Sequence, residues 1–277
     1  MKRKTCVHLL SLVIPRDSCG EITRKETTMT FNRNVLARLL VCGAMLGGIA
    51  LYSGIAKAQQ APAAGENKVT AIDILLEPDA TMIQHATAAN AELLQIFPKG
   101  YTLGGAHAPH VSVLQRYIYT ADLDKVFAAA SKVFAKENPT SWKLKAFKYY
   151  YIPDKSIGLA GIVIEPTADL LRLQKELIDA VTPFTAPTGT AAAYATTSQD
   201  PDIVAPLIEY VRVFVPDHSG DHYSPHVTTG IGTVEYLDTL LAKPFDTFTF
   251  SPVGASVYHL GNYGTAMVKL HSFTLKK

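Results

Sequence analysis

Two apolar runs in this chain stop in the same way. Ile74-Leu75-Leu76 ends at Glu77-Pro78-Asp79-Ala80, and Ile162-Val163-Ile164 ends at Glu165-Pro166-Thr167-Ala168. Each run is continuous rather than alternating, the pattern of a buried strand. Each proline lacks a ladder donor, and a helix is predicted to open just past it. Met82, Ile83, Ala86, Ala89, Leu93 and Phe97 carry helical spacing after the first run; Leu170, Leu171, Leu173, Leu177, Ile178 and Val181 carry it after the second. Both halves then reach a similar segment, Pro109-His110-Val111-Ser112 and Pro225-His226-Val227-Thr228. The chain contains its own repeat. Glu165 and His226 lie farther apart than Glu77 and His110, and the surplus is about the size of the Ala/Thr/Pro-rich stretch Thr182–Asp202 plus a short extra helix around Ile203–Phe214.

The remaining pattern completes an α+β fold. Ala121–Lys136 reads as a helix with Leu123, Val126, Phe127, Ala130 and Phe134 on one face. Trp142–Ile152 and Ile157–Glu165 read as a hairpin around Pro153-Asp154-Lys155. Val234–Ala242 is a short helix, and Phe245–Val253, Ala255–Leu260 and Thr265–Phe273 are closing strands, the last pair turned at Asn262-Tyr263-Gly264. The expected architecture is two pseudo-symmetric sheet-and-helix lobes sharing a central cleft, over residues 68–277.

The segment before residue 68 is of another kind. Arg33 and Arg38 precede an apolar stretch from Leu39 to Leu51, and Ala56-Lys57-Ala58 offers small residues for cleavage. Residues 29–58 therefore read as a signal peptide cut after Ala58. Met29 reads as the true start, with 1–28 a non-native upstream extension and 59–67 a flexible mature N-terminus. A signal anchor is the competing reading, since Leu39–Ala56 approaches a bilayer-spanning length. The glycines, Tyr52-Ser53 and the small-residue ending favour cleavage. The expected location is periplasmic or secreted, with no lasting membrane anchor.

Removing that leader changes the charge. The whole chain has a net charge of +2, but the 219 residues after Ala58 hold 17 Lys and Arg against 21 Asp and Glu, a net of −4. Such a body lacks the cations for a broad grip on long or double-stranded nucleic acid. Cys6, Cys19 and Cys42 all fall in the leader, so the body has no disulfide, cysteine-ligated metal or thiol nucleophile.

His-x-Ser/Thr alone is a weak pattern: among nine histidines roughly one or two matches arise by chance. Four occur, at His85–Thr87, His110–Ser112, His222–Ser224 and His226–Thr228. His85 falls within a predicted helix and His222 in a turn-rich loop. Only His110 and His226 sit between Pro and Val at matched points of the repeat. On a strand, residues i and i+2 share a face, so each motif presents an imidazole beside a hydroxyl, with Val111 and Val227 turned into the lobe. Two such strands around one cleft give groups that can remove and donate protons near neutrality. The hydroxyls are neutral donors for phosphoryl oxygens.

These paired motifs within duplicated lobes resemble the 2H phosphoesterase superfamily, the RNA-ligase-like cyclic phosphodiesterases, over roughly Val69–Lys277. The resemblance implies that one histidine activates water against a 2′,3′-cyclic phosphate and the other protonates the leaving sugar oxygen, leaving a 2′-phosphate. It implies His110 as the acid, His226 as the base, Ser112 and Thr228 as phosphoryl ligands, and neither metal nor cofactor. The implied substrate is a small nucleotide or an RNA end, met by a monomer. Ser112 stands where Thr is commoner, and the insertion and the export signal both bear on which substrate is used.

Other readings compete. The same scaffold suits a non-catalytic phosphate- or nucleotide-binding protein, or a 2′–5′ oligonucleotide phosphodiesterase or ligase. His218, His222 and His226, with Asp217 and Asp221 nearby, have the spacing of zinc ligands on one helix, although Gly220 and Pro225 interrupt it. His107 reads as a solvated loop residue or a cleft rim, and His259 and His271 as structural or surface groups. Lys143, Lys145 and Lys148, alternating with aromatics before Tyr149–Tyr151, read as a solvated strand face or an RNA platform. Arg212 is a candidate phosphate contact.

Overall fold

The computed structural model describes residues 68–276 except Gln199. The segments 1–28, 29–58 and 59–67, with all three cysteines, lie outside the described residues. In chain order the elements are β1 (Val69–Pro78), α1 (Ala80–Ile96), β2 (Val111–Tyr119), α2 (Leu123–Phe134), β3 (Leu144–Asp154), β4 (Ile157–Ile164), α3 (Ala168–Val181), α4 (Ala205–His218), β5 (His226–Thr233), α5 (Val234–Ala242), β6 (Phe248–Phe250), β7 (Pro252–Leu260) and β8 (Ala266–Ser272).

The strands form two antiparallel sheets of four, ordered β2-β1-β7-β8 and β5-β4-β3-β6. In each, the strand ending in Glu-Pro is central, with the His-x-Ser/Thr strand at one side. The two Glu-Pro ends also build their helices alike. Asp79 accepts from Thr81 N at 3.0 Å and Met82 N at 3.3 Å, and Thr167 accepts from Leu170 N at 3.2 Å, so each proline is followed by an N-cap.

The helices then cross over. α1 leaves the first sheet and packs on β5 of the second, while α3 leaves the second sheet and packs on β2 of the first. Met82, Ala86, Ile162 and Val227 therefore share one core with Ile74, Val111, Leu170 and Leu173. Burying side chains of this size contributes roughly 1.5–3 kcal/mol each, which makes the exchange of helices a main tie between the lobes.

Four expectations need adjustment. Ile83 is exposed, and the inward position on α1 is taken by Asn90. The helix of the insertion is longer than Ile203–Phe214: it runs from Ala205 through Pro216 to His218. The expected strand Phe245–Val253 is two pieces. β6 pairs with β3, and at Ser251 the chain changes sheets so that β7 pairs with β1. Ser251 N donates to Asp79 Oδ2 at 2.8 Å and Ser251 O accepts from Asp79 N at 2.9 Å, which fixes the crossing point. The helix expected at Ala121–Lys136 opens as a 3₁₀ turn, Thr120–Asp122, before α2.

Candidate active site

Both motif strands are bulged at the same position. Ile74 faces Leu114 and Leu75 faces Ser112, leaving Val113 as an extra residue in β2. Ala160 faces Gly230 and Gly161 faces Thr228, leaving Thr229 as the extra residue in β5. A bulge re-aims the side chains that follow it. Positions i, i+2 and i+5 thereby share one face, and His110, Ser112 and Gln115 line the same cavity as His226, Thr228 and Ile231. Val111 and Val227 are fully buried behind them.

A buried amide holds each bulge, and it comes from the exchanged helix. Asn90 of α1 donates from Nδ2 to Thr229 O at 2.9 Å and Tyr101 O at 3.0 Å, and accepts from Leu103 N at 3.0 Å. Gln174 of α3 donates from Nε2 to Val113 O at 3.1 Å and accepts from Gly220 N at 2.9 Å. Each amide joins the bulge of the other lobe's motif to a neighbouring loop. Gly230 follows the second bulge at φ 138°, and a Cβ there would meet Asn90 Nδ2 at 2.7 Å, so glycine is required on both counts.

The histidines are oriented alike. His110 Nδ1 donates to Ala108 O at 2.7 Å and His226 Nδ1 to Ser224 O at 2.8 Å, which leaves each Nε2 for the cleft. Their surroundings differ. The cross-strand pair beside the first motif is Asp73 and Gln115; at the matching place beside the second it is Leu159 and Ile231. Asp73 Oδ2 lies 3.5 Å from His110 Nε2, accepts a short hydrogen bond from Ser112 Oγ, and accepts from Gln115 Nε2 at 3.1 Å.

Burial pulls the pKa of His110 down, but the hydrogen bond and charge of Asp73 and the Ala108 carbonyl outweigh it, and the net displacement is upward. Burial dominates at His226. The Ser224 carbonyl and Asp73 oppose it, His110 and His218 add to it, and the pKa falls to about 4. The two environments therefore drive the rings apart, the first toward its protonated form and the second to the neutral form at neutral pH.

Two smaller chambers flank the central cavity. One is lined by Tyr150, His218, His222, Tyr223 and His226; Tyr150 packs against His226 at 4.8 Å between ring centroids, and Tyr223 Oη donates to Ser112 O at 2.7 Å. The other holds Tyr101, His107, His110 and Thr228. His107 is thus a half-buried part of the cleft wall, stacked on Tyr101 at 4.5 Å, and not a solvated loop residue. The hydroxyls of Tyr101 and Tyr150, together with Asp73 Oδ1 and Gln115 Oε1, are buried with no hydrogen-bond partner among the described residues. Buried polar atoms are usually paired, so such a concentration around one cleft marks a place for ligand atoms.

The zinc spacing does not survive folding. His218 closes α4, His222 closes a 3₁₀ turn after Gly220, and His226 opens β5, so the three share no helix. Among the described residues no three His, Cys, Asp or Glu side chains are grouped to hold a metal ion. Arg212 pairs with Glu209 on the exposed side of α4. Lys145 pairs with Glu165 at 2.7 Å and Lys143 donates to Ser251 Oγ at 3.0 Å, consistent with a solvated strand face. His259 Nε2 lies 2.9 Å from Ala193 O and His271 stacks on Phe127 at 4.8 Å, both structural contacts.

Asp73, Gln115, Asn90 and Gln174 are positions at the site that sequence reasoning did not single out, and Tyr150 was read only within the run Tyr149–Tyr151, as part of a strand face or platform. Asp73 had a signal, being the one charge inside an otherwise apolar run. Asn90 and Gln174 had a weaker one, as polar residues on the inward faces of amphipathic helices. Gln115 had none, because only the bulge brings it to the face of Ser112.

No family model and no curated protein matches the chain. Among solved structures, TT0787 of Thermus thermophilus aligns with a TM-score of 0.43 and 14% identity over 74% of this chain and 98% of that one. The Escherichia coli LigT structure with 3′-AMP aligns at 0.43 and 10% over 76% and 99%, and Usb1 of Kluyveromyces marxianus at 0.34 and 10% over 74% and 98%. At this level of likeness function has to be read from the site itself.

Proposed function

We propose that this protein is a metal-independent phosphodiesterase of the two-histidine type that opens a cyclic phosphate. One observation carries the reading: matched strands present two imidazoles to one cleft, and their environments drive the protonation states apart. His226 Nε2 takes a proton from water as its oxygen forms a bond to phosphorus. The bond from phosphorus to one ester oxygen breaks, and His110 Nε2 supplies the proton to that leaving oxygen. One water is consumed and a cyclic diester becomes a hydroxyalkyl phosphomonoester. Thr228, whose hydroxyl has no hydrogen bond within the described residues, donates to a phosphoryl oxygen, and Ser112 supports the opposite side. General acid and base help of this kind supplies about 10²–10⁴-fold for each group.

The 2′,3′-cyclic phosphate of a nucleotide, implied by the motif resemblance, is the test substrate. Uridine 2′,3′-cyclic phosphate in EDTA should give the 2′-phosphate. His110→Ala and His226→Ala should each remove turnover while leaving the circular dichroism spectrum unchanged. Wild-type activity in either folded variant would defeat the mechanism. A folded wild type that binds the substrate without turnover would mark a binding protein on the same scaffold.

A further inference from the structure

The cleft is poor in cations. Among the described residues neither lysine nor arginine lines the central cavity or either flanking chamber. Sites that track nucleic acid have the opposite build, a basic groove with aromatic platforms. Apart from the histidines, the polar side chains that line the central cavity beside the motifs are neutral: the Thr228 and Ser112 hydroxyls and the Gln115 amide. Such a set suits a diester with one negative charge better than a monoester with two.

Away from the motifs the walls are mostly apolar, with Asp154 at the β3–β4 turn and the Tyr210 and Tyr263 side chains as the polar exceptions. Ile152, Ile157 and Leu159 come from the β3–β4 hairpin, and Val204, Pro206 and Leu207 from the insertion that only the second half carries. The cavity has a volume of about 200 Å³, below the roughly 300–1,000 Å³ of ordinary small-molecule sites. Ile152 is 45% exposed at the junction of the central cavity and the chamber beside His218. It extends the apolar wall formed by Ile157 and Leu159 outward to the mouth of the cleft.

We infer that the preferred substrate, granted the reaction proposed above, is a small cyclic phosphodiester with one negative charge and an alkyl-like substituent seated between the β3–β4 hairpin and α4. The insertion sets this choice by adding an apolar wall that the first half of the repeat lacks. The ring opens as described for the nucleoside compound, with water consumed and the leaving oxygen protonated.

The experiment compares kcat/KM for a 1-O-hexylglycerol 2,3-cyclic phosphate with that for uridine 2′,3′-cyclic phosphate. The alkyl compound should be favoured about tenfold or more, the scale set by a few methylenes in an apolar pocket. Ile152→Ser, at an exposed position that tolerates the change, should lower that ratio about fivefold or more. Equal or better use of the uridine compound by wild type would overturn the apolar substituent and leave the reaction standing. An unchanged ratio in Ile152→Ser would overturn the seat assigned to it. Hydrolysis of neither compound, with His226→Ala indistinguishable from wild type, would remove the reaction itself and this inference with it.

Discussion

The first and second motif strand pairs, β1–β2 and β4–β5, are the same frame filled in opposite ways. Each has a histidine facing the cleft, a hydroxyl two residues on, a bulge at the third residue and a buried amide on that bulge. Between the strands, the first places Asp73 opposite Gln115 and the second places Leu159 opposite Ile231. The frame fixes where the imidazoles are; the filling fixes which holds a proton. A duplicated unit can supply both an acid and a base because only one cross-strand pair has to differ.

Removing the filling of the first strand pair should have the largest effect. In Asp73→Asn, His110 keeps its burial but loses the charge that opposes it. Its pKa drops, and activity above neutral pH should fall by about 10²-fold. In wild type the pH profile of kcat/KM should have its acid limb near pH 4, from His226, and its alkaline limb above 6.5, from His110. The variant should move the alkaline limb downward the most, with a smaller downward shift of the acid limb, because Asp73 also favours the charged form of His226. An unmoved limb would show that Asp73 does not set the acid.

Breaking the frame comes next. Asn90→Ala and Gln174→Ala should each cost about 1–3 kcal/mol of stability through buried carbonyls and amides left unpaired. Each should also lower kcat about tenfold more than KM changes, as expected when groups are displaced from the reacting geometry. Thermal melts and saturation kinetics on both variants test the equivalence of the clamps. A silent variant of either would mean that its bulge is held by the ladder alone.

Exchanging the filling is a subtler test. Leu159→Asp gives His226 the carboxylate that it lacks and should raise its pKa, so the acid limb moves upward. Activity at pH 5 should then fall about tenfold, with little change at pH 8. The smallest effect separates the hydroxyls. Thr228→Ala should cost about five- to tenfold in kcat/KM, the range of one hydrogen bond. Ser112→Ala should cost only about two- to threefold, because the Ser112 proton is already directed at Asp73. The reverse ranking would place the phosphoryl group nearer the first strand pair.

The frame was legible in the sequence and the filling was not. Matched Glu-Pro and Pro-His-Val segments revealed the repeat, the strands that carry it and all four motif residues, because these depend on local patterning. Asp73 stands in a run whose apolar pattern alone would mark a buried strand, and its role depends on residues far along the chain. Gln115 and Ile231 reach the cleft only through bulges, and period-two counting puts them on the wrong face. The clamping amides act across the lobes, at contacts that no repeat within one half contains. α4 outlasts the expected Ile203–Phe214 because it continues through Pro216, a residue that ordinarily ends a helix.

The strand order also sets a timetable. β1 opens the described chain and β7 nearly closes it, yet the two are neighbours in one sheet. During synthesis β1 and β2 can pair early, but one flank of β1 stays open until Pro252–Leu260 has emerged. α1 likewise waits for β5 before its apolar face is covered. Contacts so distant along the chain close late, and topologies dominated by them fold slowly. The two histidines consequently meet in one final cooperative event: a nascent chain ending at Phe250 should expose β1 to proteases and have no activity, even though both motifs have been translated.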